Sequence, residues 1–586
     1  MFRKFSSNNI YCIVTVIFFG LIVLWPSFKL ALTGDDYLSL WRFEHSLNNP
    51  ALNYNYLTYW FTDYGPQDSL TALLYHFVGF KPLTYYLTSF ALRIIAAISL
   101  MPLINYLTKS RKAALISSIF FAVTLTGIET TDWVFNMPSY IGITFLNLFI
   151  YILLLDISKK KISIRSIVLF ILTIIAQPIR LSFVPGVVLI IEVLKLKFGQ
   201  ESIKIAFLRT SLLLITFLLI FRYTGIGKTQ IIPINAYQDK VGFWGSRIGV
   251  YFIAFQDTLT NKNFTFMLNP ASYLGLIFLP NNIIPNRILL INSQKLLIAI
   301  SITAFLFFIV TLLYLKRNLN ISQNIFRLCL LLGVFWIICV VATYINIVGP
   351  IQSTTFLPLL LGGLISSILI SVYSSFQNRD HKIGFLIGIS IIALTSFYIW
   401  IKNPTAISSS WTRYFIVPAV GLSILVGIIF QKAKKDILFY ILFTGFFAIH
   451  MYATFTYLYK LSLVRATGFT ERLRASIPDN PKFRDENQPL VYYFTTNNES
   501  VLYHSLLFGF PVFIAYEHDV NNPWRIAYTT NWNEVVSAYT DGESMKRFMN
   551  KVQKVPLENI YSFDLTNHQL TERTNEIRVK LKNYNN

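Results

Sequence analysis

This chain has little charge. Only 13% of its 586 residues are Asp, Glu, Lys or Arg, against about 25% in soluble globular proteins. Such a chain cannot cover a water-facing surface in the usual way, and a soluble globular fold is excluded. Cysteine is nearly absent. Cys12, Cys329 and Cys339 all fall in apolar stretches and none has a CxxC spacing, which argues against disulfide, redox and cysteine-ligated metal chemistry. The histidines lack ligand spacing too. His76, His450 and His504 stand alone, so a structural role is expected of each.

Acids are scarcer than bases, 28 against 50, for a net charge of +22. The bases do not form a nucleic-acid patch. They sit in short loops between apolar runs, the pattern of the positive-inside rule, so no nucleic-acid partner is expected.

Apolar residues make up 54% of the chain, and aromatics 16%, with 33 Tyr and 51 Phe. Aromatics in that quantity suit interfacial belts and packed helices. Apolar runs long enough to cross a bilayer recur along most of the length. The expected fold class is an all-α polytopic membrane protein of about thirteen transmembrane helices. The spans are placed near 10–32, 83–107, 113–128, 137–155, 166–179, 183–197, 210–222, 296–315, 328–347, 354–373, 383–401, 414–431 and 437–459. The first run is too long for a cleavable signal and is read as a helix that stays.

Basic loops alternate. "KSRK", "SKKKISIR", "LKRN", "NRDHK" and "QKAKKD" share one side, while "GIETTDWVFN" and "NIVGPIQST" hold no Lys or Arg. The expected topology is a multi-pass plasma (cytoplasmic) membrane protein, N-terminus inside and C-terminus outside. The transmembrane part is placed at 1–459, with outer loops at 33–82 and 223–295. Within those loops "SLTALLYHFVGF" and "RIGVYFIAF" read as interfacial helices. Residues 460–586 read as a small extracytoplasmic α/β domain, with strands at "PLVYYFTT" and "FPVFIAYEH" and a helix at "ESMKRFMNKVQ".

In a chain so poor in charge, each outer-face carboxylate needs a reason. Asp35 and Asp36 stand side by side where the first span ends, Asp63 and Asp68 follow in the same loop, and Glu129 and Asp132 occupy the next one. Arg413 and Tyr414 begin a late span on the same face. The plain reading of Asp35 and Asp36 is a helix cap. The plain reading of Arg413, and of Arg180 in "AQPIRLSFVPG", is a snorkelling interfacial anchor; for Arg180 that reading is preferred. Arg222 and Lys228, at the start of the second long loop, are further candidate phosphate contacts. Arg93, inside a span, is costly to bury and is expected to pair with an acid from the first loop. "GIGK" at 225–228 lacks the spacing of a phosphate loop. Gathered on one face, the acids and Arg413 suit a site that handles a hydroxyl and a phosphate.

The order of these motifs resembles the GT-C superfamily of membrane glycosyltransferases, in the group with protein mannosyltransferases and aminoarabinose transferases. The resemblance is carried by the acidic pair Asp35-Asp36 directly after the first span, by "LLYHFVGFKPLTYYLTSFALRI" with Arg93, by "IETTDWVFNMPSY", and by "TRYFIVP". It covers mainly residues 1–200 and 400–460. Where many members have a His-Pro-Pro element this chain has "GPQD", which leaves the subclass open. The resemblance implies a polyprenyl-phosphate-linked sugar as donor, in contact with membrane lipid. The acceptor would be a glycan, lipid or protein. It implies Asp35 or Asp36 as catalytic base, with Asp35 favoured, and Glu129, Asp132, Asp68, Arg413, Tyr414 and Arg93 as donor or acceptor contacts. No cofactor is required by it, and a divalent cation is left open. The rival readings are a lipid-linked glycan flippase, a surface-polysaccharide polymerase or ligase, and a non-catalytic scaffold. A flippase is expected to place its charges at mid-membrane and to show repeat symmetry.

Overall fold

A computed structural model describes residues 7–48, 60–62, 64–199, 202–224, 256, 259–260, 265–279, 290–291, 294–345, 351–402, 413–433, 436–485 and 488–584. The expected interfacial helix at "RIGVYFIAF" (247–255), Asp63 and Lys228 lie outside the described residues.

The chain is a multi-pass helical membrane protein. Ten helices among the described residues are long and apolar enough to cross a bilayer: Ile10–Lys29, Pro82–Thr108, Val134–Ser158, Ile203–Tyr223, Gln294–Leu319, Gln323–Ile345, Phe356–Ser374, Arg379–Phe397, Arg413–Ala433 and Ile437–Val464. The other three expected spans are short. Helix α5 (Arg111–Val123) has 13 residues, about 20 Å at 1.5 Å per residue, against a hydrocarbon core of about 30 Å. Spans 166–179 and 183–197 form one pair bent by 120°, Ile164–Ala176 followed by Pro178–Lys197. The break is Gln177, at φ −157° and ψ 74°, because the residue before a proline is pushed out of the helical region.

The helices used below are α1 (Ser7–Leu24), α2 (Asp35–Asn48), α3 (Gly65–Val78), α4 (Pro82–Thr108), α5, α6 (Pro138–Ser158), α7 (Ile164–Ala176), α8 (Val184–Lys197), α9 (Ile203–Tyr223), α10 (Thr265–Phe278), α11 (Gln294–Leu319), α12 (Gln323–Ile345), α13 (Ser353–Ser374), α14 (Arg379–Lys402), α15 (Ile416–Ala433) and α16 (Ile437–Val464). The expected interfacial stretch in the first loop is α3. Its polar residues Gln67, Asp68, Ser69 and Thr71 are buried toward the protein, while Leu73 and Phe77 point outward.

The C-terminal region carries a four-stranded sheet. Strands β1 (Leu490–Thr496), β2 (Ile526–Thr529), β3 (Ile560–Thr566) and β4 (Gln569–Glu572) are ordered β2-β1-β3-β4. The first three are parallel and β4 is antiparallel to β3. "PLVYYFTT" is strand β1 as expected. "FPVFIAYEH" is instead helix α17 (Phe510–Glu517), started by left-handed Gly509 and Pro511 in its first turn. Periodicity cannot separate a short all-apolar helix from a buried strand. The helix expected at "ESMKRFMNKVQ" runs only from Met545 to Met549, and left-handed Asn550 stops it.

This region is docked on the start of the first loop. The Trp41 Nε1–H donates to the Val520 carbonyl at 2.8 Å. Arg474 donates to the carbonyls of Leu32 and Ser505 at 2.8 and 2.9 Å and to the Tyr37 hydroxyl. Gly34 and Gly509, both at positive φ, approach so closely that a Cβ on Gly509 would lie 2.5 Å from the Gly34 Cα. Only residues without a side chain permit that crossing.

Candidate functional site

The two acidic loops, the start of α15 and the C-terminal region meet on one face. Asp36 is fully buried. Its Oδ2 accepts the Thr33 N–H at 2.9 Å and its Oδ1 accepts the Phe135 N–H at 2.7 Å. It therefore ties the first exit loop to the second acidic loop. Burial pushes its carboxyl up to about 7, against the pull of those two N–H groups. Asp35 is only half-buried. Among the described residues its carboxylate has no hydrogen-bond partner. Burial raises its carboxyl, and Arg413 and Arg42 pull it back down while Asp68 pushes it up.

Asp68 is committed elsewhere. It accepts from Ser39 Oγ at 2.5 Å and pairs with Arg42 at 2.9 Å, locking α3 to α2. Arg93 is committed too, and not to an acid. It donates to the carbonyls of Ala122 (3.0 Å), Phe121 (3.3 Å) and Thr124 (2.6 Å), to Thr131 Oγ1 (2.8 Å) and to the Tyr140 hydroxyl (3.4 Å). Those carbonyls are the unpaired end of short helix α5. A cation there satisfies them and opposes the negative end of the helix dipole. The expected ion pair with the first loop is corrected to a helix cap.

In the second loop Glu129 accepts the Arg413 backbone N–H through Oε2 at 3.1 Å, and the Thr130 hydroxyl donates to the Arg413 carbonyl at 3.3 Å. Gly127, at φ 76°, allows this seam, since a Cβ there would lie 2.3 Å from the Ile416 Cα. Asp132 is buried. Its Oδ2 accepts from the Tyr457 hydroxyl at 3.1 Å and its Oδ1 has no partner. Its backbone carbonyl accepts from Arg465 and from the Tyr86 hydroxyl. Burial raises the Asp132 carboxyl, and Arg465 lowers it.

Arg413 is half-buried. Its guanidinium lies 4.7 Å from the Trp133 ring centre and 5.3 Å from that of Tyr414. Among the described residues it makes no ion pair. Arg180 joins the same site rather than snorkelling. It is 6% exposed and donates to Thr130 Oγ1 (3.2 Å), Ser139 Oγ (2.8 Å) and Asn136 Oδ1 (2.5 Å).

Asp35, Glu129, Arg413 and Tyr414 thus stand at the open side of the site, while Asp36, Asp68, Asp132 and Arg93 hold its frame. The site also uses residues that the sequence did not single out: Trp133, Tyr457, Arg465 and Arg474. Arg465, directly after the last apolar run, was the one with a visible signal. Among the described residues no three His, Cys, Asp or Glu side chains gather as ligands for a metal ion. Away from the acids, a cavity of about 690 Å³ lies between α8, α10, α13 and α14, lined by apolar side chains such as Ile190, Leu274, Leu394 and Phe397.

No family model matches this chain, and no curated protein matches it in sequence. Among solved structures it is similar to the archaeal oligosaccharyltransferase AglB from Archaeoglobus fulgidus in complex with an inhibitory peptide and a dolichol-phosphate. The TM-score is 0.40 at 11% identity, over 95% of this chain and 69% of that one. Two further Archaeoglobus fulgidus oligosaccharyltransferase structures are similar as well. One, tethered to an acceptor peptide, gives a TM-score of 0.36 at 11% identity over 96% of this chain and 69% of its own. The other, in the apo form, gives 0.35 at 12% identity over 95% and 69%.

Proposed function

We propose that this chain is an integral membrane glycosyltransferase. It moves a sugar from a polyprenyl-phosphate donor to an acceptor hydroxyl or amine on the extracytoplasmic side. One observation carries the reading: among the described residues Asp35, a half-buried carboxylate without a hydrogen-bond partner, has as its electrostatic neighbour Arg413, an arginine without an ion pair. The first is a base awaiting a proton and the second a cation awaiting an anion.

In the reaction the acceptor oxygen or nitrogen attacks the anomeric carbon. Its proton passes to Asp35, whose raised carboxyl pKa brings it closer to the operating pH. The bond from the anomeric carbon to the phosphate oxygen breaks, and the lipid phosphate leaves with the electron pair. Arg413 meets the charge that grows on that oxygen. Glu129, Trp133 and Tyr414 fix Arg413 in place. The apolar cavity gives a lipid chain a place to lie within the membrane body.

The test is a transfer assay with the purified chain in lipid, a polyprenyl-phosphate-linked radiolabelled sugar and a mixed glycan and peptide acceptor pool. The expected result is release of the lipid phosphate and label on a water-soluble acceptor. Label that stays on the lipid while the lipid crosses the bilayer would replace the transferase with a flippase.

A further inference from the structure

The C-terminal sheet has a crevice of its own. Strand β1 lies between β2 and β3, and both pairings are parallel. The chain leaves β1 toward β2 on one side and leaves β3 toward β4 on the other. The connections therefore part between the carboxyl ends of β1 and β3, the place where open parallel sheets hold their ligands. A cavity of about 280 Å³ lies there, lined by Asn497, Asn498, Val501, Leu565, Asn567 and His568. None of the six belongs to the acid and arginine site above.

Two features build its rim. The Thr496 hydroxyl donates to the Leu565 carbonyl at 3.1 Å and fixes the two strand ends beside each other. Strand β3 then turns into β4 through only Asn567 and His568, at φ 49° and 63°. A two-residue turn with both residues left-handed matches the twist of a hairpin. The His568 ring is braced by Phe469, with ring centres 4.9 Å apart and planes nearly perpendicular at 86°. Phe469 belongs to the helix Thr467–Ala475. That helix is tied to the end of the first membrane helix, since the Thr467 hydroxyl donates to the Lys29 carbonyl at 3.1 Å.

The lining selects a ligand chemistry. Among the described residues no Lys, Arg, Asp or Glu lines the cavity. Asp564, next to Leu565, gives its carboxylate to the Thr495 hydroxyl at 2.6 Å and to the Thr566 hydroxyl. A phosphate or a cation thus meets no counter-charge in the lining. What the rim holds is amides and an imidazole. The Asn497 and Asn567 amides and the His568 nitrogens make no hydrogen bond among the described residues. Asn498 commits its Oδ1 to the Val501 N–H at 3.2 Å. Amide and neutral imidazole groups both donate and accept, as does every hydroxyl of a sugar. The buried Val501 and Leu565 supply apolar surface for the C–H groups of a pyranose ring.

We propose that this crevice binds one neutral sugar unit of a glycan, apart from the transfer site. The inference goes beyond the transferase reading and does not rest on it, since it is drawn from the carboxyl edge of the sheet alone.

The experiment is saturation-transfer NMR on the full-length protein in detergent, with the methyl glycosides of glucose, mannose, galactose and N-acetylglucosamine. No lipid donor is present, so the result is independent of the transfer assay. At least one glycoside is expected to bind. Asn567→Gly combined with His568→Gly removes two polar side chains, and glycine keeps the left-handed turn. This double variant should weaken binding by at least about tenfold, the effect of two lost hydrogen bonds, with the melting temperature of the wild type. If it fails to fold, Asn497→Ala at an exposed position decides instead, with an expected loss of about threefold or more. Absence of binding by all four glycosides overturns the proposal. Affinity that survives the substitutions overturns it as well, and so does displacement of the glycoside by equimolar inorganic phosphate. Glycoside binding by a protein without transfer activity would support the pocket and remove the transferase.

Discussion

Asp36 gives one oxygen to the Thr33 N–H and the other to the Phe135 N–H, whereas Asp35, one residue earlier at the start of the same helix, gives neither to any described residue. The arginines divide the same way. Arg93 spends its guanidinium on the carbonyl end of a short helix and on two hydroxyls, while Arg413 rests on two aromatic faces and makes no ion pair among the described residues. The inner set holds the loops and the outer set is left open. Two pairs of like residues, Asp35 and Asp36 and Arg93 and Arg413, thus differ in how far their side chains are used within the fold.

The contrast can be broken most severely at Arg93. Lys cannot reach three carbonyls at once, and each buried carbonyl left unmet costs about 1–3 kcal/mol. Arg93→Lys should therefore destabilise the protein by about 3 kcal/mol or more, seen as a large fall in melting temperature in detergent. A melting temperature unchanged within error would mean that the cap carries no weight. Arg413→Lys should do the reverse. Stability stays, and donor affinity falls roughly ten- to a hundredfold as a planar two-point contact is lost. Normal donor affinity in that variant would return Arg413 to the role of interfacial anchor.

Asp36 gives a smaller and pH-dependent effect. Its folded carboxyl is raised by burial to about 7 from an ordinary value of 3.8. The folded state then holds the proton more tightly than the unfolded one, and the stability from this group is present below about pH 4 and is lost as pH rises toward 7. Asp36→Asn has no such titration. It should cost about 1–3 kcal/mol at the acid end of this window, for one N–H left without an acceptor. The gap to the wild type should narrow as pH approaches 7. A gap that widens over that range would contradict the burial assigned to Asp36.

Much of this was legible in the sequence. The apolar runs marked the membrane helices because bilayer thickness sets their length, and the scarce acids of the first two loops marked the place where those loops meet in the fold. The short elements were not legible. Helix α5 ends after 13 residues with its last carbonyls taken up by Arg93, a residue of another helix. The 120° bend is local, at Gln177-Pro178, but its hand and partners are set by packing. Arg180 looked like an anchor because hydropathy reports depth and not the hydroxyls of Thr130 and Ser139 that enclose it. Nor could adjacency tell Asp35 from Asp36. The Phe135 N–H that saturates the second lies about a hundred residues away.

The most direct measurement is a side-by-side transfer assay of Asp35→Asn and Asp36→Asn with the lipid-linked sugar, each paired with its melting curve. Asp35→Asn should lose about 10²–10⁴-fold in turnover with a melting temperature like that of the wild type. Asp36→Asn should melt earlier at acid pH, with the gap closing toward pH 7, and while folded it should keep most of its turnover. Full turnover in Asp35→Asn, or the large loss appearing in Asp36→Asn alone, would contradict the assignment of the free carboxylate as the base.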